Sequence, residues 1–223
     1  MKGEWIVRGG RPSLLLLFNG WGMDRRLADW MATAWPDPGT HDLALLYDYR
    51  EPHLPEGLAE GMLRYDGVDL VAWSLGVHAA LGSGISGIRR AVALNGTPFP
   101  VDGARGIPPE IFGGTLDNWS DAARSRFERR MFAGLERDGR IAEVRSARSP
   151  ADQQEELRAI AARAAEPLPE ASWRFSKAVV GGRDLVFLPG NQLAAWQGTP
   201  TEVVDAMPHF PFFHLDGWRE VPG

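Results

Sequence analysis

Four apolar runs stand at intervals along the first half of the chain: Ser13–Phe18, Leu43–Tyr47, Val68–Trp73 and Arg90–Asn95. None alternates cleanly between apolar and polar positions. Each therefore suits a strand buried on both faces, as in a parallel sheet. The stretches between them carry helical spacing. Asp24–Ala34 opens with an Asp N-cap and sets Leu27, Trp30, Met31 and Ala34 on one face. Pro55–Leu63 and Leu75–Leu81 are shorter helices of the same kind. Strand and helix alternate, which predicts an α/β architecture with right-handed crossovers. Glu4–Arg8 adds an antiparallel edge strand. The pattern breaks at the turn cluster Gly96-Thr97-Pro98-Phe99-Pro100. From there to about Trp173 the chain predicts no strand. It predicts helices over Ser120–Leu135, with Phe127, Met131 and Leu135 on one stripe, and over Ala151–Ala165. A strand at Ser176–Gly181, a helix around Asn191–Trp196 and a last strand around Thr201–Asp205 resume the first pattern. Residues 1–98 and 176–223 are thus expected to form an α/β core, with 99–175 inserted as a helical lid.

The third strand ends in Ala72-Trp73-Ser74-Leu75-Gly76 and passes at once into a small-residue helix. A serine at such a strand-to-helix turn is the nucleophile elbow of α/β-hydrolases. The turn strains the serine backbone and requires small residues two places before and after it. Gly76 meets the second requirement, and Ala72 stands where glycine is usual. Taken alone, Ser74 also fits a plain turn or cap residue.

A serine hydroxyl needs a base in contact, and the base needs a carboxylate to orient it. In hydrolase sheets the chain order is Ser, acid, His, each at a strand end. Asp184 is the carboxylate in the loop after the Ser176–Gly181 strand, although Gly-Gly-Arg-Asp is also ordinary turn chemistry. His209 follows the last strand between Pro208 and Pro211, with His214 as the alternative base. Oxyanion donors are expected from the Leu75 amide and from the loop Phe18-Asn19-Gly20-Trp21-Gly22-Met23-Asp24, where the Trp21 amide is the candidate. Together these elements point to a serine hydrolase working by acyl transfer.

Composition narrows the reading. The absence of cysteine excludes disulfides, a Cys nucleophile and a thiolate metal site. A net charge of −5 offers no global basic field for nucleic acid. Met1-Lys2-Gly3-Glu4-Trp5 carries no long apolar stretch, so no signal peptide is expected, and the longest apolar run is too short to span a bilayer. The nine tryptophans fit a Trp-rich core. A cytoplasmic monomer without metal or organic cofactor is expected. Locally the charge reverses. Eight arginines lie between Arg124 and Arg148, against four carboxylates.

The chain resembles the BioG-type pimeloyl-acyl-carrier-protein methyl ester esterases over nearly its whole length. The residues that carry the likeness include Phe18–Asp24 (FNGWGMD), Tyr47–Arg50 (YDYR), Ala72–Val77 (AWSLGV), Leu94–Pro98 (LNGTP), Gly190–Trp196 (GNQLAAW) and Pro208–Phe213 (PHFPFF). The resemblance implies an α/β-hydrolase with Ser74 as nucleophile, Asp184 as acid, His209 as base, and Trp21 and Leu75 at the oxyanion hole. It implies hydrolysis of the methyl ester of pimeloyl-acyl-carrier protein (pimeloyl-ACP) to pimeloyl-ACP and methanol, in biotin synthesis. Acyl carrier proteins are acidic, so the arginine-rich lid is placed to dock one, with Arg126 and Arg130 as candidate contacts. A solvated face of internal ion pairs is the alternative. Ile107, Ile111, Phe112, Leu116 and Trp119 are placed to line an acyl channel or to pack the lid on the core. The rival readings are another esterase or thioesterase of this fold, and a non-catalytic carrier-binding module.

Overall fold

Leu14 to Phe18 have no exposed surface at all, because the strand they form has covered faces and paired edges on every side. In the computed structural model, which describes residues 1–35, 39–215 and 217, seven strands make one sheet: β1 (Lys2–Val7), β2 (Ser13–Phe18), β3 (His41–Tyr47), β4 (Gly67–Trp73), β5 (Ile88–Leu94), β6 (Lys177–Gly181) and β7 (Thr201–Val204). Their order is β1-β3-β2-β4-β5-β6-β7. β1 is antiparallel to β3, and every other pairing is parallel. Along each central strand, successive side chains enter different cores. Leu14, Leu16, Leu70 and Ala72 face one, while Leu15, Leu17, Val71 and Trp73 face the other. This is why the runs are continuous.

The chain leaves β2 for β3 on one side and leaves β4 for β5 on the other. The loops after β2 and β4 therefore part in opposite directions and open a crevice between them, at the point where strand order reverses.

Helices α1 (Arg26–Ala34), α2 (Glu56–Met62), α3 (Gly76–Gly82) and α8 (Pro189–Ala195) cover the sheet. α1 differs from the sequence reading at both ends. It starts at Arg26, and Arg25 in the N-cap position makes no side-chain cap bond. Asp24 instead accepts the Arg26 amide at 3.0 Å through one oxygen and the Ala147 amide at 2.7 Å through the other. Its carboxylate is shared between the helix and a distant loop. Ala34, expected on the buried face, is exposed on the last turn.

Between β5 and β6 lie α4 (Pro109–Asp117), α5 (Asp121–Met131), α6 (Ile141–Val144) and α7 (Pro150–Ala164). Ser120 and Ser149 cap α5 and α7 by accepting the amides of Ala123 and Asp152. α5 stops at Met131, short of Leu135, with Phe132 as its C-cap, and Gly134 takes a φ of 86° in the turn that follows. α4 and α6 were not legible. α4 carries Gly113, Gly114 and Thr115, all weak helix formers, and α6 is a single turn. Among the described residues no helix is long and apolar enough to cross a membrane.

The sheet end opposite the crevice is tied by Asp69 of β4. Its buried carboxylate accepts from Arg89 at 2.7 and 3.0 Å, from Arg90 at 3.0 Å, and pairs with His41 at 3.0 Å. Burial opposes its ionisation, but these hydrogen bonds outweigh burial and hold the carboxyl well below the usual carboxylate range. A depressed folded pKa contributes stability above the unfolded value of about 3.9 and loses it as pH falls toward the folded one. Both arginines are half-exposed, so Asp69→Asn should cost a modest ~1–2 kcal/mol at neutral pH. The gap between wild-type and variant melting temperatures should narrow steadily below about pH 4. A gap unchanged down to pH 2.5 would contradict this account.

Candidate active site

Ser74 follows β4 without a loop, and its backbone sits at φ 59°. A non-glycine residue in the left-handed region costs about 1–3 kcal/mol and persists only where its surroundings hold it. Here the Ser74 amide still donates to Leu94 O at 2.9 Å, extending the β4–β5 ladder by one bond. Two residues on, only glycine fits. A Cβ on Gly76 would lie 2.5 Å from Asn19 O and 2.6 Å from Phe18 O. The elbow thus packs directly on the end of β2.

His209 reaches Ser74 from the loop after β7. Its Nε2 is 2.9 Å from Ser74 Oγ, and its Nδ1 is 2.9 and 3.0 Å from the two carboxylate oxygens of Asp184. A carboxylate accepts, so Nδ1 carries the proton and Nε2 is left to accept from the hydroxyl. All three side chains are buried, with His209 and Asp184 each 1% exposed. Asp184 is held by its own loop. Oδ1 accepts the amides of Val186 and Phe187 at 2.8 and 2.9 Å, and Oδ2 accepts Gln192 Nε2 at 3.0 Å. His214, the alternative base, lies away from Ser74. Its Nε2 is buried with no partner among the described residues, and burial pushes its pKa down.

Residues not singled out from the sequence hold this arrangement. Asn95, at φ 45° just after β5, donates to Pro208 O and His209 O at 2.7 and 3.0 Å and accepts the Gly181 amide at 2.6 Å. One amide side chain therefore joins the ends of β5, β6 and β7. Trp73 Nε1 adds a bond to His209 O at 2.9 Å. Gln192 is another such residue. Both lie inside stretches that carry the resemblance, Leu94–Pro98 and Gly190–Trp196, which mark their positions but not their roles.

A pocket opens over Ser74. Trp21, Leu75, Ile107, Phe112 and Leu157 line it, and Arg130 brings a cation to it. The Trp21 and Leu75 amides have no acceptor among the described residues, whereas both neighbours of the Trp21 amide are engaged: Gly20 with Asn19 Oδ1 and Gly22 with Glu156. Trp119 is not a lining residue here. It lines the neighbouring groove and packs against Trp21, ring centroids 4.6 Å apart, with its indole N–H donating to Gln153 Oε1 at 3.3 Å. Arg126 lies outside the pocket, in an adjoining groove with Arg129, Arg130, Ile111 and Thr115. Leu116 lines neither. Among the described residues no group of His, Asp and Glu side chains is arranged to hold a metal ion.

The model of the BioG family, described as pimeloyl-ACP methyl esterase, matches residues 1–221. A malonyl-[acyl-carrier protein] O-methyltransferase of Bacteroides fragilis is 38% identical over 196 residues, which is 86% of this chain and 38% of that protein. The chain therefore spans well under half the length of this curated relative. The crystal structure of BioG from Haemophilus influenzae is similar with a TM-score of 0.87 at 30% identity, covering 100% of both chains. A lipase-esterase related protein from Clostridium acetobutylicum shares the fold, with a TM-score of 0.62 at 14% identity over 94% of this chain and 92% of that one. With an α/β-hydrolase sheet and a family match from residue 1 to 221, the chain belongs to the BioG family of pimeloyl-ACP methyl esterases.

Proposed function

We propose that this protein hydrolyses the methyl ester of a pimeloyl chain carried on an acyl carrier protein, with Ser74 as nucleophile, His209 as base and Asp184 as the group that orients it. The observation that carries the reading is the unbroken chain Ser74 Oγ–His209–Asp184 at 2.9 Å per contact, buried beneath one pocket. As Ser74 Oγ attacks the ester carbonyl, His209 Nε2 takes its proton. The Trp21 and Leu75 amides hold the oxygen that becomes negative. The tetrahedral intermediate collapses, and His209 returns the proton to the departing methoxide, releasing methanol. A water then attacks the acyl-serine with His209 again as base, and the free carboxylic acid leaves on its carrier. No step calls for a metal or organic cofactor.

The charge of the helical segment supports a carrier-linked substrate. Arg124, Arg140, Arg145 and Arg148 are bound to carboxylates of the same segment. Arg126, Arg129 and Arg130 make no ion pair among the described residues. These three line one groove, and Arg130 also reaches the Ser74 pocket. An acidic carrier and the phosphate of its prosthetic arm match that groove, and the mostly apolar pocket matches an aliphatic chain. The Bacteroides relative is named for methylating an acyl group on a carrier protein, which makes the class of bond proposed for cleavage here. A helical lid over residues 99–175 and a cytoplasmic, monomeric enzyme complete the reading.

Ser74→Ala should lower kcat on a p-nitrophenyl ester by about 10⁴-fold or more. Substantial residual turnover, or a fluorophosphonate probe that labels another residue, would reject the assignment. The double change Arg126→Glu and Arg129→Glu, on residues that line the groove alone, should lower kcat/KM for a carrier-linked methyl ester about 10–100-fold. A short p-nitrophenyl ester should change by less than about twofold, since these charges lie beyond the pocket. Equal losses on both substrates would reject the carrier groove.

A further inference from the structure

The loop that presents the Trp21 amide is held from outside the core. β2 delivers the chain to Asn19, but the far side of the loop rests on α7. Glu156 is fully buried, and one of its oxygens accepts the Gly22 amide at 3.1 Å while the other accepts the Tyr49 amide at 3.0 Å. Gln153, one turn earlier, donates to Gly22 O at 2.8 Å and accepts the Trp21 indole N–H on its backbone carbonyl at 2.7 Å. The residue after Trp21 is thus clamped at both its N–H and its C=O, and the Trp21 side chain is pinned as well. Gly22 itself sits at φ 73°, and a Cβ there would lie 3.0 Å from Gln153 Nε2. The peptide therefore keeps one orientation.

A buried carboxylate beside a developing oxyanion would, unaided, oppose the reaction. Arg148 removes that objection. Its guanidinium, 7% exposed, donates to Glu156 Oε2 and also reaches Met23 O. Burial pushes the Glu156 carboxyl up, and Arg148 with the two amides acts against that rise. Arg148 also pairs with Asp152 and Asp48, which Arg50 and Lys2 hold in turn, so cations and carboxylates alternate through the cluster and what Glu156 supplies to the loop is geometry.

We infer that Glu156, compensated by Arg148, is a positioning residue for the oxyanion hole: by holding the Gly22 amide it aims the Trp21 amide at the oxygen formed on the ester. This rests on the reading of Ser74 as nucleophile and Trp21 as oxyanion donor. The helical segment then does more than cover the pocket, because part of the transition-state machinery is set by it.

The test is Glu156→Gln, which turns an NH2 group toward one of the two amides that Glu156 now accepts. The probes are a p-nitrophenyl ester, an alkyl trifluoromethyl ketone, which Ser74 converts to an oxyanion adduct, and the matching ether, which it cannot attack. The expected result is a fall of about 10–100-fold in kcat with KM nearly constant, a parallel fall in ketone affinity, and ether affinity within about twofold. Unchanged kcat and ketone affinity would overturn the inference, and so would equal losses for ketone and ether, which mark a merely structural residue. Should Glu156→Gln fail to fold, Gln153→Leu, which frees Gly22 O, decides by the same comparison. A wild-type protein that neither turns over the ester nor is labelled at Ser74 removes the underlying reading, and this inference with it. A catalytically active wild type with an unimpaired variant removes the inference alone.

Discussion

The left-handed backbone of Ser74 is the constraint on which the rest of the site depends. To hold it there, the chain brings three strand ends into van der Waals contact. Gly76 lies against the carbonyls of Phe18 and Asn19, and a Cβ on Gly96 would come within 2.2 Å of Ser74 O. The elbow is gripped from the β2 side and the β5 side together. That grip sets the loop after β2 next to the hydroxyl and leaves the Leu75 amide at the pocket. A looser turn would separate the Ser74 hydroxyl from the Trp21 and Leu75 amides.

The second requirement is that the buried carboxylate of Asp184 and the loop carrying His209 find hydrogen-bond partners, because an unpaired buried group costs about 1–3 kcal/mol. Asp184 meets it with two backbone amides, Gln192 and His209. The His209 loop meets it through Asn95 and Trp73, which take up carbonyls that would otherwise face the core. The imidazole is therefore placed by main-chain contacts on one side and by the carboxylate on the other. Phe187 stacks on the ring at an interplanar angle of 14° and helps to keep water out.

The helical segment between β5 and β6 divides its charges between two tasks. Arg148 is buried and spent on Glu156, Asp152 and Asp48. Arg126 and Arg129 line the groove, which also carries Glu110, and make no ion pair among the described residues. Composition counts both groups alike. The difference comes from position: Arg126 and Arg129 stand on α5, whereas Arg148 lies between α6 and α7, where Asp152 and Glu156 of α7 and Asp48 after β3 reach it.

Local sequence was enough to determine much of this protein. Continuous apolar runs such as Leu14–Phe18 announce strands buried on both faces, the Ala-Trp-Ser-Leu-Gly turn announces the elbow, and the Ser, Asp, His order at successive strand ends announces the candidate triad. Each of these is written in neighbouring residues or in strand order. Helices α4 and α6 were not, since glycine, threonine and single-turn length leave packing to decide them. Nor were the packing of Trp119 against Trp21 or the parts played by Asn95, Gln192 and Glu156. Gln192 reaches Asp184 eight residues away across a turn, whereas several of the others depend on atoms more than a hundred residues apart, such as Asn95 with His209 and Gly22 with Glu156. A hydrogen bond at that separation leaves no period or spacing along the chain. Only the assembled sheet, with the inserted helices folded back over it, brings such partners to 3.0 and 3.1 Å.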